Sequence, residues 1–416
     1  MGTTSHRPRF LRLLLAPSTL RKLFALIIIG SIIEAQFVYY QIARAERAFA
    51  SQISLQTPTP RVYIAGLHWN NEGILRASWN SALVALVEEL GPDNVFVSIY
   101  ESGSWDDTKG ALRDLDRRLN KAGVARQITL DETTHADLMG APPPTDGGGQ
   151  TQGWVQTREG ERRLRRIPYL AGLRNLSLQP LLDMAENGTT FDHVLFLGDV
   201  VFTVADVIAL LNTNNGRYAA ACSLDFSKPP SYYDTFALRD SNGHEHASQM
   251  WPYFRSSKSR KAMLNGEAVP VASCWNGIVS MPASAFTGAR GLQFRGVDDS
   301  LAESHLEGSE CCLIHADNPA SRTRGVYLNP IVRVGYNLAA YQAVHSHGSW
   351  LSAYQIWTGL LKNRLARWFT TPGLKEARVS RRVGRWEQEQ KGREEPGRFC
   401  LINEMQVLVA NGWAHL

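Results

Sequence analysis

The sequence predicts an α/β domain on a Rossmann-type mixed sheet flanked by helices, with a membrane anchor ahead of it. Three features lead there. Between Arg61 and Leu130, strand-like runs alternate with helical stripes, the pattern of a parallel sheet with right-handed crossovers. Val194 to Leu197 is a short unbroken apolar run, as for a strand buried on both faces, and it ends in Gly198-Asp199. Near the N-terminus a basic cluster precedes a long apolar run.

At 416 residues the chain holds one large domain or two ordinary ones. An apolar fraction of 44% and a charged fraction of 20% are ordinary for globular proteins. The net charge of +5 raises the question of nucleic acid, but the basic residues fall largely in the N-terminal tail, in Arg158 to Arg166 and in Lys375 to Arg398. Glu387, Glu389, Glu394 and Glu395 interleave the last run, which reads as a solvated amphoteric tail. No zinc-finger or RNA-recognition signature accompanies the charge, and nucleic acid is not an expected partner. Cys222, Cys274, Cys311, Cys312 and Cys400 match no zinc spacing. An oxidising lumen would allow one or two disulfides among them, in a pairing the spacing does not reveal.

In chain order, residues 1–22 read as a cytosolic basic tail carrying Arg7, Arg9, Arg12, Arg21 and Lys22, and 23–40 as a transmembrane signal anchor. Crossing a bilayer takes ~20 residues, and Leu23 to Tyr40 is slightly short of that. Glu34 can snorkel, Tyr39 and Tyr40 suit the boundary, and no small-residue cleavage site follows. An amphipathic or buried helix is the other reading of this run. Residues 41–60 form a helical stem closed by Pro58-Thr59-Pro60, residues 61–345 the folded domain, and 346–416 an accessory tail without strands.

Within the domain, Arg61 to Gly66, Val95 to Tyr100 and Val124 to Leu130 are the first strands. Leu75, Trp79, Leu83, Leu86, Val87 and Leu90 share one helical face, stopped by Gly91-Pro92. Ala111, Leu112, Leu115, Leu119 and Ala122 form the next stripe. A Gly-, Pro- and Thr-rich surface loop spans about 133–159, and a helix from about Pro168 to Glu186 leads into the Val194 strand. Tyr218 to Leu224, Val269 to Met281 and Cys311 to Ala316 read as further strands.

Asp199 belongs at the carboxyl end of its strand, the edge where open α/β sheets bind ligands. A carboxylate there can hold a hard divalent cation, which in turn neutralises a diphosphate; capping the helix Val204 to Leu211 is the alternative. Glu101, Ser102 and Asp106 follow the second strand, where carboxylates accept from base or ribose groups and Gly103 lets the backbone come close. A helix cap built on Asp106, Asp107 or Thr108 is the alternative, and both roles can hold together. Arg174, beside Asn175, offers a guanidinium to diphosphate oxygens, or is a surface arginine of a basic helix. Trp275 and Asn276 offer a stacking face and an amide to a sugar, with a core Trp as the plainer reading. His315 can join Asp199 on Mn2+, or be satisfied structurally, and Glu310 can serve as a base or bind an acceptor hydroxyl. Read as the two ends of one strand, Glu310 and His315 would lie roughly 16 Å apart, which divides their roles between acceptor and metal.

Several segments then occur together and in order: Arg61 to Gly66 with Asn70-Asn71-Glu72, Val97 to Ser104, Leu173-Arg174-Asn175, Leu197 to Phe202, Ala221 to Phe226, Arg239-Asp240, Ser273 to Gly277 and Ser309 to Cys312. As a set this resembles the fungal α-1,3-mannosyltransferase family of cryptococcal mannosyltransferase and the capsule-associated proteins (glycosyltransferase family 69), over about Arg61 to Tyr336. The resemblance implies a GT-A-like fold, GDP-mannose as donor, a mannose-containing saccharide acceptor, a Mn2+-type cation near Asp199, and a single-pass type II protein with its catalytic domain in the Golgi lumen. Among the matched residues, Asp225 and Glu310 are the expected catalytic carboxylates. Glu101, Ser102, Asp106, Arg174 and Asn175 are expected at the donor, Asp199 and His315 at the metal, Trp275 and Asn276 at the acceptor. Transfer from an α-linked donor to an α-product retains configuration, through a carboxylate nucleophile or through departure and attack on one face. One departure stands out: Gly198 occupies the place where the family has Asn. It keeps open the alternative of a non-catalytic lumenal carbohydrate-binding or scaffold subunit.

Overall fold

A computed structural model describes residues 17–50, 53–54, 58–141, 153–156, 160–288, 291–345 and 349–416. The start of the basic tail and the Pro- and Gly-rich centre of the 133–159 loop lie outside the described residues.

Helix α1 (Pro17–Ala50) comes first. Strand β1 (Val62–His68) follows, then a π-helical turn and helix α2 (Asn80–Leu90), strand β2 (Val95–Ser102), helix α3 (Thr108–Lys121) and strand β3 (Ala125–Asp131). Helix α4 (Arg166–Glu186) leads to β4 (His193–Leu197), then α5 (Val204–Leu211) and β5 (Ala220–Lys228). Helix α6 (Ser257–Asn265), β6 (Val269–Ser273), β7 (Ile278–Pro282), α7 (Glu310–Asp317) and β8 (Val326–Gly335) complete the core, and α8 (Ala353–Phe369) and α9 (Gly373–Glu389) follow.

The main sheet has ten strands in the order β3-β2-β1-β4-β7-β5-β8-β6, ending at the short strand Arg239–Asp240, with Ser231–Tyr232 pairing off β5. Strands β3, β2, β1 and β4 are mutually parallel, and β7 runs antiparallel between β4 and β5. The expected architecture is thus present: a Rossmann-type parallel half continued as a mixed, GT-A-like sheet flanked by helices. The period-2 alternation places Val62 and Ile64 in one apolar core and Tyr63 and Ala65 in the other; Leu195 and Leu197 against Val194 and Phe196 divide the same way. Between β1 and β4 the winding reverses, which opens a crevice at their carboxyl ends.

Three expectations need correction. Cys311 to Ala316 is helix, not strand: Ser309 Oγ accepts from Cys311 N, and the run continues helically to Asp317. At 1.5 Å per residue, Glu310 and His315 are then separated by about 7.5 Å along the axis, and the 16 Å argument falls away. The tail is not strandless. Leu401–Ile402 pairs with Glu307–Gly308, and Gln406–Val409 pairs with Gly412–His415. It is also bound into the fold by Cys312–Cys400, the second disulfide being Cys222–Cys274, and by a third core that joins Leu301 and Leu306 to Val383, Trp386 and Val407. Finally, the anchor and stem helices are one. In α1, Ala35, Val38, Ile42 and Ala43 are buried and Glu46 pairs with Arg333 at 2.8 Å, so its later turns dock on the domain. The helix from Arg21 to Arg47 is long and apolar enough to cross a membrane by length and composition.

Candidate active site

The crevice between β1 and β4 holds a cleft of about 140 Å³. Ala65 to Leu67 and Phe196 to Asp199 form its floor, and Arg174, Asp234, Trp275 and Tyr336 close it.

Asp199 sits two residues past the end of β4. It does not cap α5; Thr203 does, in a reciprocal pair with Asp206. Asp199 Oδ2 instead accepts from Asn71 Nδ2 at 3.1 Å. That amide is oriented from behind: its Oδ1 takes Trp69 N at 3.1 Å and lies 3.2 Å from His68 Nδ1. Burial holds His68 down to about 4, so its ring is neutral and Nδ1–H is the donor. Burial likewise raises the carboxyl of Asp199 above the usual range, an effect that Asn71 and the more distant Arg174 only partly offset.

Gly198 has a physical reason. A Cβ at this position would lie 2.7 Å from the Gly277 carbonyl oxygen, which accepts from Gly198 N at 3.0 Å. Trp79 Nε1 donates to Gly198 O at 2.8 Å. The β4 and β7 backbones therefore meet where only hydrogen fits, and the side-chain amide next to Asp199 is supplied by Asn71.

On α4, Arg174 Nε donates to Glu310 Oε1 at 3.1 Å, and its guanidinium carbon lies 4.7 Å from the Trp275 ring centre. Trp275 is half-buried between that cation and the Phe196 and Phe294 rings, 4.9 and 5.4 Å away. Glu310 is buried at the start of α7 with Cys311 Sγ 3.3 Å from it.

The opposite wall holds a pair of carboxylates. Asp225, fully buried, accepts from Asn276 Nδ2 at 2.7 Å, from Tyr336 OH at 3.1 Å and from Asp234 N at 3.2 Å. Burial, with the nearby charge of Asp234, pushes it up to about 7. Asp234 is raised too, chiefly by burial. Its Oδ1 takes Phe236 N and Ala237 N at 2.9 and 3.1 Å, while Oδ2 has no hydrogen-bond partner among the described residues. Asp234 lines the cleft, and Asp225 stands behind it.

The remaining expected residues are placed elsewhere. His315 is buried, and its Nε2 contacts the Cys274 carbonyl at 2.7 Å, which makes Nε2 the donor; burial lowers its pKa to about 4. It does not line the Asp199 cleft. Its nearest potential ligand partners, Cys222 and Cys274, are joined as a disulfide and leave no thiolate pair for a cation. Asn276 is fully buried on Asp225, not on the open face. Glu101 is buried in an ion pair with Lys109 at 3.2 Å and takes Ser104 N at 2.5 Å. Ser102 is buried at the end of β2. Asp106 closes the turn before α3, accepting from Thr108 N and Glu72 N, each at 3.0 Å. Asn175 clamps the backbone of Phe294, its amide donating and accepting at 2.9 Å each; as the first residue of a glycosylation sequon its nitrogen is already engaged. None of these six lines the cleft.

Sequence reasoning missed Asp234 and Tyr336 and gave Asn71 no role. Asp234 falls in the weakly patterned stretch after β5. Asn71 carried one usable signal, an amide just beyond the first strand of a parallel half. A larger cleft of about 440 Å³ lies between Asn242 to Glu245 and α9. It is lined by Arg239, Arg378 and Arg398, His244 Nδ1 lies 2.6 Å from Glu376 Oε1 and Lys375 pairs with Glu245 at 3.6 Å.

Comparison with known proteins gives the chain a family. The family model described as Cryptococcal mannosyltransferase 1 matches residues 61–317, from the first strand to the end of α7. An α-1,3-mannosyltransferase of Cryptococcus neoformans is 25% identical over 278 residues, which cover 62% of this chain and 53% of that protein. The chain thus spans about half the length of the curated relative it matches. Among solved structures, a mannosyltransferase from Pyrobaculum calidifontis in complex with GDP-Man and Mn2+ is 12% identical at a TM-score of 0.35, covering 90% of this chain and 88% of that one. The S. aureus TarS 1–349 structure with UDP is 9% identical at 0.35, covering 79% and 72%. Likenesses this distant assign nothing further. By the family match across most of its folded domain, the chain belongs to the cryptococcal mannosyltransferase 1 family.

Proposed function

We propose that this protein is a metal-dependent glycosyltransferase that moves mannose from GDP-mannose to a mannose-containing saccharide, with retention of configuration and an α-1,3 linkage. The observation that carries the reading is the crevice itself, in which Asp199, Arg174, Asp234 and Trp275 converge at the switch point of the sheet. The donor set fits a hard cation. Asp199 offers an oxygen ligand, and burial disfavours its charge, so a cation would relieve it. When bound, Mn2+ supplies positive charge to a diphosphate leaving group. Asp199 would hold it, and Asn71 orients that carboxylate.

The chain's own residues supply the rest. Arg174, locked by Glu310 and Trp275, presents a fixed cation to phosphate oxygens. Trp275 gives an apolar face to a sugar ring. Asp234 presents its free oxygen to the reacting sugar or to the acceptor hydroxyl, and Asp225, through Asp234 N, sets the turn that aims it. Gly198 does not argue for a non-catalytic subunit, because its place is dictated by the Gly277 carbonyl. A protein anchored by α1 with its domain in the Golgi lumen is part of the same proposal. The test is release of GDP from GDP-mannose by the purified full chain with Mn2+ and short mannosides. Acceptor-stimulated, chelator-sensitive release supports the reading; none with any mannoside, while the folded protein still binds GDP-mannose, would favour the carbohydrate-binding alternative.

A further inference from the structure

Helix α8 is apolar on two opposite faces. Ile356, Gly359, Leu360 and Asn363 face the domain and are buried. Tyr354, Leu361, Leu365 and Trp368 fall within a stripe roughly 60° wide on the other side, at 100° per residue. These residues are 70%, 41%, 42% and 67% exposed, and Phe369 and Leu374 just beyond reach 79% and 82%. Lys362 and Arg364 flank the stripe at about 80° on either side. A contiguous apolar face of this size on a soluble surface marks an interaction site.

Its neighbour indicates which. Trp357 Nε1 donates to Ser31 Oγ of α1 at 2.8 Å, and Arg364 pairs with Glu34. An apolar cleft of about 310 Å³, lined by Ile28, Ile32, Ala35, Tyr354 and Trp357, runs between the two helices. The early turns of α1 expose Leu23, Phe24, Ile27, Ile29 and Ile33, and the cleft joins them to α8 through Ile28 and Ile32 beside Tyr354 and Trp357. Ser31 and Glu34 lie in the run expected to enter the membrane, Glu34 toward its domain-side end. If that run enters a bilayer, α8 is drawn to it.

We propose that α8 is a second membrane contact, an interfacial helix lying along the bilayer surface with Leu361, Leu365, Trp368 and Phe369 in the headgroup–acyl boundary. The helix has the composition of such elements, with aromatic and Leu side chains on the wet face and basic residues at its edges. Glu34 then meets Arg364 at that boundary instead of standing alone in hydrocarbon. The site would be held at a fixed tilt to the membrane instead of swinging on a stem. This inference rests on the proposed anchor.

Nitroxide labels on the full chain, reconstituted in lipid nanodiscs, test it through Leu365→Cys, Ile27→Cys and Asn187→Cys in separate proteins. Cys311, the free thiol among the described residues, is buried, and Leu365 and Asn187 already face outward. The expected result is preference for oxygen over a water-soluble nickel complex at 365 and 27, reversed at 187. Lipid contact at 27 with water contact at 365 would overturn the proposal and leave the anchor standing. Water contact at both would overturn the anchor as well. Spin–spin broadening at 365 that persists in detergent would show a second copy of the chain covering the stripe, and would also overturn it.

Discussion

Asp199 stands two residues past the end of β4 and Asp225 stands within β5, and the two carboxylates live differently. Asp199 has a single side-chain donor, Asn71, and an open side toward the cleft. Asp225 is enclosed, with Asn276, Tyr336 and the Asp234 amide all donating to it. A fully satisfied carboxylate holds structure together, whereas a desolvated and poorly satisfied one has capacity left for a ligand. Residue type does not separate the two; counting donors does.

Replacement by alanine should separate them most. Asp199→Ala is expected to cut transfer by at least about 10²-fold, the scale for losing one electrostatic stabiliser, with stability within about 1–2 kcal/mol of wild type. Asp225→Ala should cost about 3 kcal/mol or more of stability, because its buried donors each lose a partner worth about 1–3 kcal/mol. Denaturant unfolding alongside GDP release checks both; equal stability losses would break the comparison.

The pH dependence sharpens it. Asp225 is raised to about 7 in the fold, so between roughly pH 4 and 7 the native state keeps a proton that the unfolded chain has released. Its contribution to stability is fully present below about pH 4 and declines as pH rises to 7. Asp225→Asn, which mimics the protonated acid, should flatten that decline in melting temperature. An unchanged slope would mean that Asp225 is ionised throughout.

The same contrast explains what the sequence disclosed. From Arg61 to Leu130 each element announces itself by a local period, and the strand ending at Asp199 could be placed from its own residues. The second wall is built from long-range meetings: Asp225 with Asn276 and Tyr336, and Asp234 from a stretch without periodicity. Cys311 to Ile314 was misassigned because four apolar residues fit a buried helix as well as a strand, and the Ser309 cap that decides it is a weak signal. The tail strands are two to four residues long and pair with partners that no local pattern specifies.

A smaller effect is expected at the backbone contact between β4 and β7. Gly198→Asn, which restores the family's residue, should lower stability by about 1–3 kcal/mol, because its Cβ meets the Gly277 carbonyl. Activity higher than wild type at unchanged stability would show that the site lacks that amide after all. The least change is expected at His315. Since Nε2 is spent on the Cys274 carbonyl, His315→Gln should leave the Mn2+ concentration for half-maximal activity unaltered. A raised requirement would return His315 to the metal.

The central claim is that the β1/β4 crevice, through Asp199, holds the cation and the diphosphate. Its most direct test is titration of Mn2+ into the protein with GDP present, followed by electron paramagnetic resonance of free Mn2+. Wild type and Asp225→Asn should each retain one tight GDP-dependent Mn2+, and Asp199→Ala should lose it. Undiminished Mn2+ binding by folded Asp199→Ala would contradict the account.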